Sequence, residues 1–225
     1  MIKEVVVILL NMPLKIFQSP FVYWRQLSED DHKRIKSKMM KDINLLGEVK
    51  QQEMDLLRGA TTNYVKEYNK NELTSEEYVK TIVKDTLAEL IQRINGSKNL
   101  LYTIDYVNHA VLNAWYTKYK KGDSFDWHGH SSLPYIINGH IYHSSFSLIY
   151  ILNDESNKNV TVFTSNQSVC DPPFQNGCGT YLDTGDFDDI KEGTVIVFPS
   201  NLLHRVIQNI SSNRITVSYN IYSRY

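Results

Sequence analysis

The sequence has few cysteines, no long apolar run and almost no net charge. Two cysteines, Cys170 and Cys178, are too few for a disulfide framework in a chain of 225 residues. The apolar run at residues 5–10 is far shorter than the roughly 20 residues of a membrane helix and the about 7–15 of a signal-peptide core. A formal net charge of −1 provides no basic field for nucleic-acid phosphates. These absences predict a cytoplasmic protein with no membrane partner and argue against a nucleic-acid ligand.

The beginning of the chain predicts an edge strand followed by helices. Residues 14–24 are rich in β-branched and aromatic side chains but contain Pro20, which is typical of a strand at a sheet edge. Ser28 has the pattern of a helix N-cap, and apolar residues follow it at helical spacing as far as Gly47. A second helix is predicted over residues 48–68.

A further helix is predicted to start at a capping box formed by Thr74 and Glu77 and to end at Asn95 and Gly96. Its apolar stripe consists of Val79, Ile82, Val83, Leu87, Leu90, Ile91 and Ile94. None of the predicted helices carries a cluster of metal-ligating side chains. We therefore expect residues 1–100 to support the rest of the chain by covering one face of a sheet.

Residues 101–225 change to short strands separated by polar turns. Such strands are predicted at residues 111–119, 125–131, 145–152, 160–164, 194–198 and 214–222, a pattern typical of a jelly roll. The aperiodic segment 165–191, which contains both cysteines, is predicted to be a lid or a disordered connection. The predicted fold class is α+β: a double-stranded β-helix core with the N-terminal helices packed on one sheet, forming a single compact domain overall.

Three histidines predict a metal site. His128 and His130 are one residue apart in a predicted strand, so their side chains would point to the same face. His204, from a distant strand, would complete a face of three ligands with the opposite side open, as in non-haem Fe(II) oxygenases. Asp126, two residues before His128, is an alternative to His130 as second ligand or an outer-sphere partner. His140 and His143 fall between predicted strands and are expected to be loop residues.

The last predicted strand has one apolar and one polar face. The polar face begins with Arg214 and Thr216. If that face points into a barrel it needs partners, because an unpaired buried guanidinium would cost several kcal/mol. A ligand carboxylate would satisfy Arg214 through two parallel hydrogen bonds, and the Thr216 hydroxyl could add a third.

These residues resemble the motifs of the 2-oxoglutarate- and Fe(II)-dependent oxygenases, especially the prolyl-hydroxylase-like branch and uncharacterised phage and bacterial branches. One motif runs from Tyr119 through a Gly-Asp pair to His128 and His130, and a second runs from Gly193 through a Phe-Pro-Ser sequence to His204. Arg214 lies ten residues beyond His204, where the family places the arginine that binds the distal carboxylate of 2-oxoglutarate. The likeness covers roughly residues 110–225 and, more loosely, the predicted strand and helix at residues 14–46.

The resemblance implies a dioxygenase that hydroxylates its substrate. Fe(II) would be held by His128, His130 and His204. The cosubstrate 2-oxoglutarate would bind to Arg214, Thr216 and Tyr119. The reaction would consume O2, with ascorbate as a supporting reductant. By analogy with the family, the expected substrate is a prolyl residue in a peptide, and a small-molecule substrate is the alternative. The expected location is the cytoplasm, which for a phage-encoded protein would be that of the host cell. The chain departs from the commonest triad at His130, where the family carries Asp or Glu. This substitution removes a negative charge from the metal and should raise its reduction potential.

Two other functions are compatible with the same residues. A cupin-like three-histidine dioxygenase would share the metal ligands but would need neither 2-oxoglutarate nor Arg214. A non-catalytic jelly-roll binding module would keep its ligand when metal is removed. The three hypotheses therefore predict different responses to replacement of Arg214 and to chelation.

Overall fold

The computed structural model describes residues 14–16, 21–46, 56–64, 71–96, 109–130, 134–156, 158, 160–164 and 181–224. Its helical elements are α1 (Glu29–Leu46) and a continuous run made of α2 (Glu76–Tyr78), a π-helical segment (Val79–Lys84) and α3 (Asp85–Gly96). Two short 3-10 helices lie at Glu72–Thr74 and Thr184–Asp186. None of the described helices is long and apolar enough to cross a bilayer.

Antiparallel strands dominate the structure. They are β1 (Leu14–Ile16), β2 (Phe21–Gln26), β3 (Leu57–Arg58), β4 (Thr61–Thr62), β5 (His109–Tyr119), β6 (Ser124–His128), β7 (Tyr135–Ile137), β8 (His140–Asp154), β9 (Thr161–Thr164), β10 (Tyr181–Asp183), β11 (Thr194–Pro199), β12 (Leu203–Val206) and β13 (Arg214–Arg224). The larger sheet has the order β1-β2-β11-β8-β13-β5-β4, with β7 paired to β8. The smaller sheet has the order β10-β9-β12-β6-β3.

The two sheets face each other across an apolar layer. Ile149 and Ile151 of the larger sheet belong to the same buried cluster as Phe163 and Leu182 of the smaller sheet. The opposite face of the larger sheet packs against the helices: Ile35 and Met39 of α1, Leu87 and Leu90 of α3, and Tyr116, Tyr150 and Val217 of the sheet all lie in one cluster. Full burial of each such side chain contributes about 1.5–3 kcal/mol. The helices thus stabilise the sheet from the side away from its partner.

Parts of the N-terminal prediction need correction. The stretch 14–24 is two paired strands rather than one, and the predicted edge position belongs to β1. The predicted helix 48–68 is wrong where the structure describes it, because β3 and β4 lie there. Gly59 separates them with φ of +85°, a left-handed conformation that glycine adopts readily and a helix does not contain. The β-branched pair Thr61–Thr62 then extends the larger sheet.

The helix starts are partly as predicted. The Ser28 hydroxyl accepts a hydrogen bond from the Asp31 N–H at 3.1 Å, which confirms this N-cap, whereas Gly47 lies outside the described residues. The capping box of Thr74 and Glu77 is wrong: the Thr74 hydroxyl donates to the Asn71 carbonyl, and the helix begins one residue later. The apolar stripe beyond it is buried as predicted, apart from the partly buried Val79.

In the second half, the six predicted strands are present, with β7, β10 and β12 in addition. Asn138 and Gly139 both have positive φ, 51° and 75°, the geometry of a two-residue hairpin turn between β7 and β8. His140 and His143 therefore lie in a strand, and the loop assignment is wrong. The disorder alternative for the segment 165–191 is wrong for residues 181–191, which contain β10 and the buried Ile190. The lid alternative stays a prediction, and Cys170 and Cys178 lie outside the described residues.

Candidate metal centre

A pocket opens between the two sheets. It is lined from the larger sheet by β5, β8 and β13 and from the smaller sheet by β6, β9 and β12. The lining side chains are Trp115, Thr117, Tyr119, Phe125, His128, His130, Ile149, Thr161, His204, Val206, Arg214, Thr216 and Ser218. The pocket contains all six residues that the family resemblance assigned to metal or cosubstrate binding, whereas the alternative ligand Asp126 is not among its lining residues.

The three predicted histidines converge in the pocket. His128 and His204 are direct partners across the β6–β12 pairing, and His130 follows shortly after the end of β6. One ring nitrogen from each histidine lies within 4.8 Å of the corresponding atoms of the other two. His204 is buried, and the other two are half-buried. Three imidazoles this close together could hold one metal ion between them.

Asp126 is turned away from the histidines by a β-bulge. His204 pairs with His128, but Val206 pairs with Phe125. The two-residue advance along β12 therefore faces a three-residue advance along β6, and the extra residue in β6 interrupts the alternation of its side chains between the two faces of the sheet. Phe125 and His128 consequently share the pocket face, with their rings stacked 3.8 Å apart. The Asp126 carboxylate instead accepts from Arg58 at 2.7 Å and is 42% exposed. The alternative in which Asp126 is a ligand is therefore contradicted.

His130 also reaches the cluster differently from the prediction. It lies beyond the end of β6, so strand alternation does not orient it. Its backbone N–H donates to the Ser200 carbonyl at 2.7 Å, and its carbonyl accepts from the Ser144 hydroxyl at 3.1 Å. These contacts fix its backbone against β8, which contains Ser144, and against Ser200, the residue that follows β11.

The hydrogen bonds of two imidazoles define their tautomers. Nδ1 of His128 lies 2.8 Å from the Asp126 carbonyl, and Nδ1 of His204 lies 3.2 Å from the Leu202 carbonyl. A carbonyl oxygen can only accept, so each Nδ1 must carry the proton. The lone pair is then on Nε2, the arrangement in which an outer-sphere acceptor orients a metal-binding histidine.

Burial keeps the three imidazoles neutral. It lowers the pKa of His128 to about 4, and, with repulsion from His128, it lowers the pKa of His130 to about 3. Burial and repulsion by the other two histidines hold the pKa of His204 well below its usual value of 6.5. At neutral pH all three side chains are therefore uncharged and can donate a lone pair to a cation.

The lowered pKa values predict that the metal-free protein loses stability in mild acid. Between pH 6.5 and about 4 the unfolded chain binds protons at these histidines that the folded chain does not, so the free energy of unfolding falls as pH decreases. Each histidine can contribute up to about 1.4 kcal/mol per pH unit in this window. Urea denaturation at pH 7.5, 6.0 and 5.0 measures the slope. His130→Gln should flatten it by roughly a third, and an unchanged slope would contradict the assignment.

A buried cation forms the opposite wall of the pocket. The Arg214 side chain is fully buried, and its Nε lies 3.7 Å from Oδ2 of the equally buried Asp154. Its Nη2 donates to the Thr161 hydroxyl at 3.3 Å, and its guanidinium carbon lies 5.2 Å from the ring centroid of Tyr119. Asp154 is itself held by the backbone N–H and hydroxyl of Ser156, at 3.1 and 2.7 Å. Burial lowers the pKa of Arg214, but an arginine remains charged in proteins.

Tyr119 and Thr216 flank this cation. Tyr119 pairs directly with Arg214 across the β5–β13 register, and its side chain is hydrogen-bonded to Thr117 and Thr216. Burial raises the pKa of Tyr119 to about 12, although Arg214 and these hydrogen bonds oppose the shift. The hydroxyl is therefore protonated at neutral pH. A cation and three hydroxyl groups thus meet at one end of the pocket.

Sequence analysis missed three residues that contact the imidazole ring of His130. The Ser147 hydroxyl lies 2.9 Å from its Nδ1, Asn220 is hydrogen-bonded to its side chain, and the Trp115 ring centroid lies 5.3 Å from its own. The strand pattern contained a signal for Asn220, because it lies on the polar face of the last strand together with Arg214. Nothing in the sequence indicated which strand would lie opposite Ser147 or Trp115.

Comparison with known proteins gave structural matches alone. No protein-family model matches the chain, and no curated protein sequence does. Its structure matches a prolyl-4-hydroxylase from Pseudomonas putida (TM-score 0.51, 12% identity, 91% of this chain and 92% of that one). It also matches HygX from Streptomyces hygroscopicus, solved with nickel, 2-oxoglutarate and hygromycin B (TM-score 0.55, 12% identity, coverage 91% and 82%).

A third match is SnoN, a non-haem α-ketoglutarate-dependent epimerase from nogalamycin biosynthesis (TM-score 0.61, 8% identity, coverage 90% and 78%). The chain has the 2-oxoglutarate oxygenase fold. This fold confirms the predicted antiparallel β core, and sequence identities this low show the fold alone. The solved proteins with the oxygenase fold include a hydroxylase and an epimerase, so the fold does not define the reaction.

Proposed function

We propose that the protein is an Fe(II)- and 2-oxoglutarate-dependent dioxygenase. The observation that carries the proposal is the position of three neutral imidazoles and a buried guanidinium in one pocket of the oxygenase fold. A metal site alone would fit many functions. The cationic wall formed by Arg214, Thr216 and Tyr119 adds a binding site for the distal carboxylate of a diacid.

The donor set suits the metal. His128, His130 and His204 would hold Fe(II) through uncharged imidazole nitrogens, which are common ligands of iron and of its substitute nickel. Three protein ligands would leave further coordination positions of the ion available to cosubstrate and dioxygen. When bound, Fe(II) would supply the activation of dioxygen, with 2-oxoglutarate oxidised to succinate and CO2 as substrate is oxidised.

The chain itself would bind and orient the cosubstrate. The Arg214 guanidinium would donate two hydrogen bonds to the far carboxylate of 2-oxoglutarate, and the Thr216 hydroxyl would add another. The Tyr119 hydroxyl, protonated because burial raises its pKa, can donate rather than repel the carboxylate. Trp115, Phe125 and Ile149 would line the space between the two polar ends and exclude water from it.

We also propose a reaction type, a class of substrate and a cellular location. We propose hydroxylation as the reaction, with a prolyl residue of a peptide or a small molecule as substrate, in analogy to the prolyl-4-hydroxylase and to HygX with its bound hygromycin B. We place the reaction in the cytoplasm, including that of a phage-infected host. Residues 101–225 would form the catalytic core, with residues 1–100 supporting it.

An anaerobic titration tests the proposal. Addition of 2-oxoglutarate to the Fe(II)-loaded protein should produce a weak visible charge-transfer band, because the 2-oxo acid chelates the ion. In air, with ascorbate present, the same protein should release succinate even without primary substrate. A folded, iron-loaded protein that gives neither the band nor succinate would rule the proposal out.

A three-histidine dioxygenase without 2-oxoglutarate is the second candidate, favoured by the absence of a carboxylate from the metal-binding cluster found among the described residues. It would consume O2 when 2-oxoglutarate is omitted, and replacement of Arg214 would leave its turnover intact. A non-catalytic binding module would bind its ligand equally well in the presence of a chelator. The titration and the omission of 2-oxoglutarate therefore separate all three candidates.

A further inference from the structure

The three imidazoles are oriented in two different ways. His128 and His204 each bond through Nδ1 to the carbonyl of the residue two positions earlier, so their own backbone sets the ring orientation. The Nδ1 of His130 instead contacts a side chain, the Ser147 hydroxyl on β8, at 2.9 Å. His130 lies outside the strands, so its ring is held by a contact from a distant part of the chain.

The Ser147 hydroxyl lies at the centre of a buried polar cluster. Ser147 is fully buried, and Ser200 and Asn220 are at most 4% exposed. The Ser147 hydroxyl lies 3.2 Å from Oδ1 of Asn220 and 3.3 Å from the Ser200 hydroxyl, and at these distances it can donate to either. Asn220 is the direct partner of Ser147 across the β8–β13 pairing, which fixes the two side chains relative to each other.

The direction of these hydrogen bonds determines the tautomer of His130. A serine hydroxyl has one proton, and the amide oxygen of Asn220 can only accept, so the Ser147 hydroxyl donates that proton to Asn220. The lone pairs of the same oxygen then accept from Nδ1–H of His130. The Nε2 lone pair of His130 is thereby available for a metal, as in His128 and His204.

We infer that Ser147, held by Asn220, is the positioning residue that makes His130 a metal ligand. The inference rests on the proposed function, because it assigns Ser147 a role at the metal site of that enzyme. Ser147 does not touch the metal. Ser147 fixes the rotation of the His130 ring and determines which ring nitrogen carries the proton. His130 needs this partner because its Nδ1 contacts a side chain, whereas Nδ1 of His128 and of His204 contacts a backbone carbonyl.

Metal affinity provides the test. Loss of an outer-sphere partner lowers metal affinity by about 10- to 100-fold, and Ser147→Ala should weaken anaerobic Co(II) binding, followed by visible absorption, by that factor. Asn220→Ala should also weaken Co(II) binding, because it removes the acceptor of the Ser147 proton and the hydrogen bond between Asn220 and the His130 side chain. Ser145→Ala is the matched control on the same strand, since its hydroxyl bonds the Ile221 carbonyl, and it should bind Co(II) like the wild type.

A double-mutant cycle separates positioning from a general effect on folding. In a His130→Ala background, Ser147→Ala should cause no further loss of Co(II) affinity, because the ring that it orients is gone. An equal loss in both backgrounds, or a Ser147→Ala protein that binds Co(II) like the wild type, would overturn the inference and leave the proposed function standing. A wild-type protein that binds no Co(II) would overturn both.

Discussion

Replacing Arg214 with methionine is expected to weaken 2-oxoglutarate binding strongly while the affinity for a divalent metal stays close to that of the wild type. The guanidinium is the positive charge that the structure places in the pocket wall, opposite the histidines. Removing one partner of a buried charge pair costs about 2–5 kcal/mol, roughly 30- to 5,000-fold in Kd. Anaerobic calorimetry with the Mn(II)-loaded protein measures this loss.

A second substitution tests whether the loss of 2-oxoglutarate binding arises from a loss of folding. Arg214→Met leaves the buried Asp154 carboxylate without its cation, which should destabilise the protein by about 3–5 kcal/mol. A companion Asp154→Asn substitution removes the stranded charge and should recover much of that stability. If the folded double variant bound 2-oxoglutarate as tightly as the wild type, Arg214 would have no role in cosubstrate binding.

Replacing His204 with alanine is expected to eliminate metal binding and all metal-dependent turnover. The lost group is a direct donor, so the effect should exceed the roughly 10- to 100-fold caused by loss of an outer-sphere partner. Co(II) titration of the folded variant measures the affinity. His130→Asp should retain binding, because a carboxylate can replace the imidazole as donor.

Asp126→Asn is the matched control for the ligand assignment. Asp126 points away from the histidines and pairs with the exposed Arg58, an interaction worth at most about 1 kcal/mol. The Asp126→Asn variant should therefore bind Co(II) with the same affinity as the wild type. A variant at position 126 that lost metal while His130→Ala retained it would show that the ligand set is wrong.

Local patterns in the sequence predicted the elements that they directly control. The two-residue alternation of the last strand, with Arg214 and Thr216 on its polar face, correctly indicated which side lines the pocket. The apolar stripe of the helix ending at Gly96 correctly indicated its buried face. Both patterns arise from the geometry of a single element, which the sequence determines without knowledge of its neighbours.

The errors arose where one element depends on another. The bulge that excludes Asp126 exists because β6 pairs with β12, a contact between distant parts of the chain that no local pattern specifies. Likewise, the short strands at residues 57–62 are extended because they pair with β6 and β5. The β7–β8 hairpin was predictable, since Asn138-Gly139 between β-forming residues is a strong turn signal.

The buried ion pair at the far end of the pocket has a consequence for discrimination among oxo acids. A divalent cation on three neutral imidazoles contributes two positive charges, and those of Arg214 and Asp154 cancel. In the proposed enzyme the loaded cavity would be electrically balanced by a dianion, whereas a 2-oxo monoacid such as pyruvate would leave excess charge enclosed by low-dielectric protein. Asp154 would therefore set the total charge that a cosubstrate of this enzyme must carry.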